Sequence, residues 1–304
     1  MAKDYYGNTM KSIRIARRIS QKSATDGKFN RSLIAKIEKN EVIPSIHKFQ
    51  LILQQLNLSF DEFFFIHRNY GLTQYQELTN KFYSSLSNSD IDKLSNLVTE
   101  FSDYLNEHDS FYIKELKEVA LAIIDIRKNN FENATRLVEP IWTRLSKVDL
   151  WTISDLKLIN CILFIFPIEV AINIGRNAIS QLEKYKQFLP DSQLKVAFKL
   201  NLTGLLLTNG KFSQTTLDLL EEILIESKEN GMYDCYAVAL FRKGALLQAN
   251  YPEIENEEMD EAIQILELLK EQHLIDLLLE DKALFLNGET TIEKEYLTKK
   301  KPNE

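Results

Sequence analysis

Apolar residues recur along this chain at spacings of three and four and almost nowhere alternate strictly, a pattern that predicts an all-α protein. The clearest short element runs from Arg31 to Lys39. Asn30 is placed to cap it, and no helix breaker follows until Pro44. At about 100° per residue, Leu33, Ile34 and Ile37 share one arc, while Arg31, Ser32, Ala35, Lys36 and Lys39 share the other. Upstream, Ser20 to Asp26 reads as a short helix capped by Ser20, and Gly27-Lys28-Phe29 as a turn. Downstream, Pro44-Ser45 opens a helix whose period is given by Ile46, Phe49, Leu53 and Leu56. A capping box, Ser59 with Glu62, opens the next. Residues 1–66 are thus expected to form a five-helix domain containing a helix, a tight turn and a second helix.

The pattern changes after Phe65. A polar stretch with a glycine is read as a linker at 67–72, and an amphipathic helix is expected from about Thr73 to Leu86. Beyond it, similar openings recur at Asp90, Asn130, Pro167, Lys211 and Met259, each starting a helix. Their last members, from Leu94 to Ala262, are separated by 37 to 47 residues, the size of one helix hairpin. The phrases Asn130-Phe131-Glu132-Asn133-Ala134 and Gly210-Lys211-Phe212 resemble degenerate tetratricopeptide repeats. Residues 73–288 are therefore expected to be a helix-hairpin repeat domain, whose stacking gives a concave face suited to extended peptides or partner helices. The charged residues 289–304 are expected to fray.

Charge sharpens the division. The chain carries a formal −7, yet residues 1–70 hold twelve basic against six acidic side chains, a local +6 that leaves −13 for the rest. A basic head suits polyanionic DNA through counterion release, and an acidic body keeps away from it. The outward arc of the Arg31–Lys39 helix carries residue types that read base edges, since Arg contacts guanine bidentately and Ser serves either base type.

Residues 37–41, Pro44-Ser45 and 56–64 together resemble the Cro/phage-repressor type of helix-turn-helix domain. That resemblance implies that Gln21 touches phosphate and that Arg31, Ser32 and Lys36 face bases. Lys22, Lys28 and Lys39 complete the expected DNA-binding set. It also implies a structural ion pair between Arg14 and Glu38, of the kind that is destabilising to break. Ala24 and Thr25 depart from the family pattern, which prefers a larger apolar residue followed by Ala, so the second helix is expected to be weakly anchored.

In the body, polar side chains embedded in apolar helices mark candidate ligand contacts, because burial is costly for them without a hydrogen-bond partner. Asn160, Asn201, Arg242 and Lys243 are the peptide-binding candidates: Asn can hold a peptide backbone, and Arg a carboxylate. The alternative for each is contact with a neighbouring helix end or with water. A repressor-like head on a hairpin-repeat body resembles the Rgg-type regulators of Gram-positive bacteria, among the cytosolic receptors for imported peptide pheromones. The resemblance implies a homodimer that binds a DNA repeat and answers to a short signalling peptide. Two other readings stay open at this point: a body that senses a protein partner, and a head that does not bind DNA.

Other chemistry has little support. No phosphate loop, metal-ligand spacing or nucleophile elbow is present, so neither catalysis nor a cofactor nor a metal is expected. Histidines 47, 67, 108 and 273 are scattered. Cys161 and Cys235 lie in apolar helices without a CxxC, which suits a reducing cytoplasm. The most apolar stretch, Leu158 to Ile172, is interrupted by Asn160, Pro167 and Glu169 and is too short for a bilayer, so no membrane association is expected.

Overall fold

A computed structural model describes residues 6–86, 91–188, 193–251, 257–285 and 289–290. The chain divides into two compact units, Met1–Asn80 and Lys81–Glu304. The boundary falls inside one helix, Gln74–Leu86.

The first unit holds α1 (Tyr6–Ala16), a single 3-10 turn at Ser23–Thr25, α2 (Arg31–Glu38), α3 (Ile46–Gln55), α4 (Phe60–His67) and the start of α5 (Gln74–Leu86). The expected second helix is therefore only that turn. Its N-cap position is Lys22, without a side-chain capping bond, and Ser20, expected as the cap, lies two residues earlier with its Oγ accepting from the Ser23 amide at 3.0 Å. The Thr25 hydroxyl donates to the Lys22 carbonyl at 2.7 Å, a local bond that competes with helix extension. Met10, Ile13, Ile34, Ile37, Leu53 and Phe63 lie at the centre of the core. Phe49 meets Phe63 edge to face at 4.9 Å between ring centroids. Ile46, expected on the buried arc of α3, is instead 78% exposed, because it is the first residue of that helix and projects from its end. Gly7 allows α1 to touch the end of α2: a Cβ there would stand 1.9 Å from the Ile37 carbonyl oxygen.

The second unit is a run of antiparallel helix pairs. α6 (Ile91–Glu107) pairs with α7 (Phe111–Arg127), and α8 (Phe131–Leu145) with α9 (Ile153–Ile162). α10 (Ile168–Glu183) and α11 (Gln193–Thr208), α12 (Gln214–Glu229) and α13 (Tyr233–Asn250), and α14 (Glu258–Leu269) and α15 (Gln272–Phe285) complete the series. The recurrent openings in the sequence fall at the starts of α6, α8, α10, α12 and α14, the first helix of every pair; the opening residue Asp90 lies outside the described residues. Side chains cap several starts: Ser110, Asn130 and Ser213 each accept from an amide in the first turn. Thr152 and Asp155 form a full capping box.

Second helices of successive pairs pack on one another, α7 on α9, α9 on α11, α11 on α13 and α13 on α15, whereas the first helices make no comparable contacts among the described residues. The second helices thus form one contiguous layer of the body. Gly175 in α10 admits Leu202, which a Cβ would meet at 2.4 Å. The expected fraying tail begins differently: Glu289–Thr290 pairs in parallel with Lys211–Phe212, giving two short β segments, and residues 291–304 lie outside the described residues.

Candidate functional site

In the head, α2 presents the face that its period predicts. Ile34 and Ile37 are buried, while Arg31, Ser32, Lys36 and Lys39 are exposed. Asn30 has the extended backbone of an N-cap but no side-chain capping bond, so that expectation holds for the backbone alone. Lys22 is exposed. Lys28 pairs with Asp26 at 3.2 Å, both half exposed, a contact that contributes little to stability.

Behind this face lies a buried network. Arg14 forks Glu38, with Nε to Oε1 at 2.5 Å and Nη2 to Oε2 at 3.0 Å, and its Nη1 donates to the Ile19 carbonyl at 2.7 Å. Burial works against the Glu38 charge, but the bonds from Arg14 and Gln21 and the charges of Arg14 and Lys11 outweigh it and hold the carboxyl below the ordinary glutamate range. Gln21, expected at phosphate, uses both ends of its amide inside the head. Its Nε2 donates to Glu38 Oε2 at 2.9 Å, and its Oε1 accepts from Arg31 Nε at 3.2 Å. The exposed arginine of α2 is thereby linked through Gln21 to the buried pair. Sequence reasoning did not single out Asn40 by itself. It sits just past α2 at a positive φ of 59°, takes the Gly7 amide at 2.9 Å and reaches Asn8 at 3.1 Å.

In the body, the candidates separate into two groups. Asn160 on α9 and Asn201 on α11 meet: Asn201 Nδ2 donates to Asn160 Oδ1 at 3.1 Å and to its carbonyl at 3.3 Å. Arg242 on α13 reaches the same α11, where Nη1 donates to the Leu200 carbonyl at 2.6 Å. Asn160 and Asn201 are thus brought together, and Arg242 reaches the same helix α11 at a different residue. Lys243 does not join them. It is 3% exposed and points toward α12 and α14, with Nζ 2.6 Å from Glu258 Oε1 and 3.9 Å from Glu221 Oε1. Its place one residue beyond Arg242 turns it about 100° around the helix and into the hairpin interior, so the expectation of a peptide contact is corrected to a buried ion pair.

Partners missed in the sequence are Thr203, Gly204 and Asp281, which surround the Arg242 guanidinium. Gly204, a lone glycine inside an apolar helix, was the available signal. Burial pushes the Cys161 and Cys235 thiols up to about 12, which disfavours the reactive thiolate at both. Among the described residues no cluster of His, Cys, Asp and Glu is arranged to hold a metal ion, and no helix is long and apolar enough to cross a membrane.

Residues 138–280 match the family model described as the C-terminal domain of HTH-type transcriptional regulator Rgg. No curated protein matches the chain. Among solved structures, a protein of Listeria monocytogenes EGD-e described as a transcriptional regulator is similar with a TM-score of 0.72 at 23% identity, over 93% of this chain and 97% of that one. The SHP pheromone receptor Rgg2 of Streptococcus dysgalactiae is similar with a TM-score of 0.65 at 18% identity, over 91% and 98%. PlcR of Bacillus thuringiensis, solved with the peptide PapR7 and DNA, is similar with a TM-score of 0.67 at 16% identity, over 90% and 99%. At these identities the likeness establishes a shared fold.

Proposed function

We propose that this Rgg-type chain, with the family's C-terminal domain at residues 138–280, is a homodimeric transcriptional regulator that binds DNA through α2 and a short signalling peptide through its repeat body. The observation that carries the reading is the exposed Arg31, Ser32, Lys36 and Lys39 face on a helix fixed from behind by the Arg14–Glu38 fork. A rigid helix with a polar, cationic outer face is what a major groove admits. Lys22 and Lys28 flank it for phosphate contacts. Gln21 orients Arg31 in the free protein and is in place to turn to phosphate on the duplex. The solved relative that holds both a peptide and DNA supports joining the two activities.

One recognition helix gives few base contacts, and two heads about 34 Å apart double them, which is why the active species is read as a dimer. Leu268 and Leu279 on the last hairpin are exposed apolar side chains suited to that association. Asn160, Asn201 and Arg242, on α9, α11 and α13, supply the peptide contacts, and the protein works in the cytoplasm, where DNA and an imported peptide meet.

Selection of tight-binding duplexes from a random pool, followed by fluorescence anisotropy, tests the head. Arg31→Ala is expected to lose about 1–3 kcal/mol and to relax base preference at one position, and Lys36→Ala to relax preference at another. If both variants retain every selected duplex as the parent does, α2 is not the reading helix. Calorimetric titration with short hydrophobic peptides encoded beside the gene tests the body, and no heat with any of them would favour a protein partner. A monomer at micromolar concentration in light scattering, with and without DNA, would remove the dimer.

A further inference from the structure

Two arginines of this chain hold a buried carboxylate in the same way. Arg14 sets Nε at 2.5 Å and Nη2 at 3.0 Å from the oxygens of Glu38, and Arg144 sets Nε at 2.8 Å and Nη2 at 2.9 Å from those of Glu115. Both use one edge of the planar guanidinium for two parallel bonds, the strongest geometry that group offers.

On Arg242 that edge is unfilled. Its Nε is buried without any hydrogen-bond partner among the described residues. Its Nη2 stands 3.8 Å from Asp281 Oδ2, beyond hydrogen-bonding distance. The opposite end is anchored, with Nη1 at 2.6 Å from the Leu200 carbonyl and 3.5 Å from Thr203 Oγ1. The guanidinium lies against α11 at Gly204, where a Cβ would come within 3.1 Å of Nη2. Burial draws the Arg242 pKa down and pushes that of Asp281 up, as befits two charges that are desolvated without a finished bond between them.

We infer that Arg242 is the receptor for a carboxylate on the ligand and that Asp281 of α15 is its resting partner. The inference rests on the peptide-binding reading and names the group on the peptide that is recognised. The Asn160–Asn201 rung and the fork share α11, because Arg242 bonds to Leu200, the residue before Asn201. A peptide backbone on the rung thus brings a nearby carboxylate to the fork. Since Nε is covered, a carboxylate enters by moving what covers it, and Asp281 belongs to a helix packed on both α11 and α13. Exchange of Asp281 for the ligand's carboxylate completes the fork and releases one tie on α15. Carboxylate binding is thereby coupled to the last hairpin.

The test follows the Nε–H resonance of Arg242 in nitrogen–proton spectra of the full chain, assigned by its loss in Arg242→Lys. The probes are N-acetyl-leucine, the neutral N-acetyl-leucinamide, and N-acetyl-aspartic acid α-amide, which carries its carboxylate on the side chain. Either acid is expected to move the resonance downfield and to saturate, while the amide leaves it in place. A larger response to the leucine acid identifies the ligand group as a peptide C-terminus, and a larger response to the aspartic probe as an acidic side chain. In Asp281→Asn the acids are expected to bind about fivefold tighter, because the resting partner no longer competes. Equal movement by acid and amide, or no movement by any probe, overturns the inference. The two readings fail separately. If peptides bind equally as acids and as C-terminal amides and without regard to their acidic side chains, the fork is refuted and peptide sensing stands. If no peptide binds yet an acid moves Arg242, peptide sensing fails and the fork stands.

Discussion

Glu38 keeps its charge where burial opposes it, and the physical reason is countable: two bonds from Arg14 and one from Gln21 satisfy its oxygens. Because its folded pKa is depressed, the stability it contributes is fully present above the ordinary glutamate value of about 4.3 and is lost as pH falls through the lower folded value. Glu38→Gln is expected to cost about 3 kcal/mol at neutral pH, since it leaves Arg14 buried without its counter-ion. The difference between parent and variant in urea unfolding should hold constant above neutrality and shrink in acid; a difference independent of pH would refute a role for the carboxylate charge. The pair itself was legible through the resemblance of residues 37–64 to a repressor head. The place of Gln21 in the network was not, because which way an amide turns depends on neighbours brought in by the fold. Arg242 and Lys243 make the same point more sharply: adjacent residues with like charge differ in role solely because a turn of about 100° sends one inward to α11 and the other between α12 and α14.

At the level of elements, periodicity was the reliable guide, and starts were read better than lengths. Each opening named between residues 90 and 259 coincides with the first helix of a pair, because polar caps and breakers concentrate at such joints. The Ser20–Asp26 segment failed as a helix for a local reason. Ser20, Ser23 and Thr25 bond to one another and to nearby backbone, which favours a single tight turn over continuation. Close approach between elements was the least legible feature, since no period announces it. Gly7 is the clearest case. Gly7→Ala would drive a Cβ into the Ile37 carbonyl, backbone against backbone, so α1 and the end of α2 must separate and the Gly7 amide must lose Asn40. An overpacked contact of this kind costs about 1–3 kcal/mol, which thermal unfolding would register as a lower midpoint. An unchanged midpoint would mean that the two helices are free to part. Weaker DNA binding should accompany the loss if α2 reads DNA as proposed, because Asn40 follows closely on that helix.

For the molecule as a whole, a basic head and an acidic body are two charge environments on one chain, and the function proposed for it is a coupling between them. Such coupling is a free energy, and it binds both partners equally. A peptide can shift the population of DNA-competent dimers only by the ratio of its affinities for the competent and incompetent arrangements. The consequence is quantitative. If a saturating peptide changes the Kd for a selected duplex by some factor, saturating duplex must change the Kd for the peptide by that same factor, measured by anisotropy in one direction and calorimetry in the other. Salt provides an internal control. Each lysine–phosphate contact contributes to the salt slope of DNA binding, so Lys22→Ala should reduce that slope by about one while leaving the reciprocal factor as it was. Asp281→Asn belongs to the other class, because it alters the tie between the fork and α15 without touching the DNA face. It should change the coupling factor while leaving the salt slope intact. If Asp281→Asn left the factor unchanged while tightening the acid probes, Arg242 would hold the ligand without transmitting its presence, and the route from peptide to duplex would have to run through another part of the body.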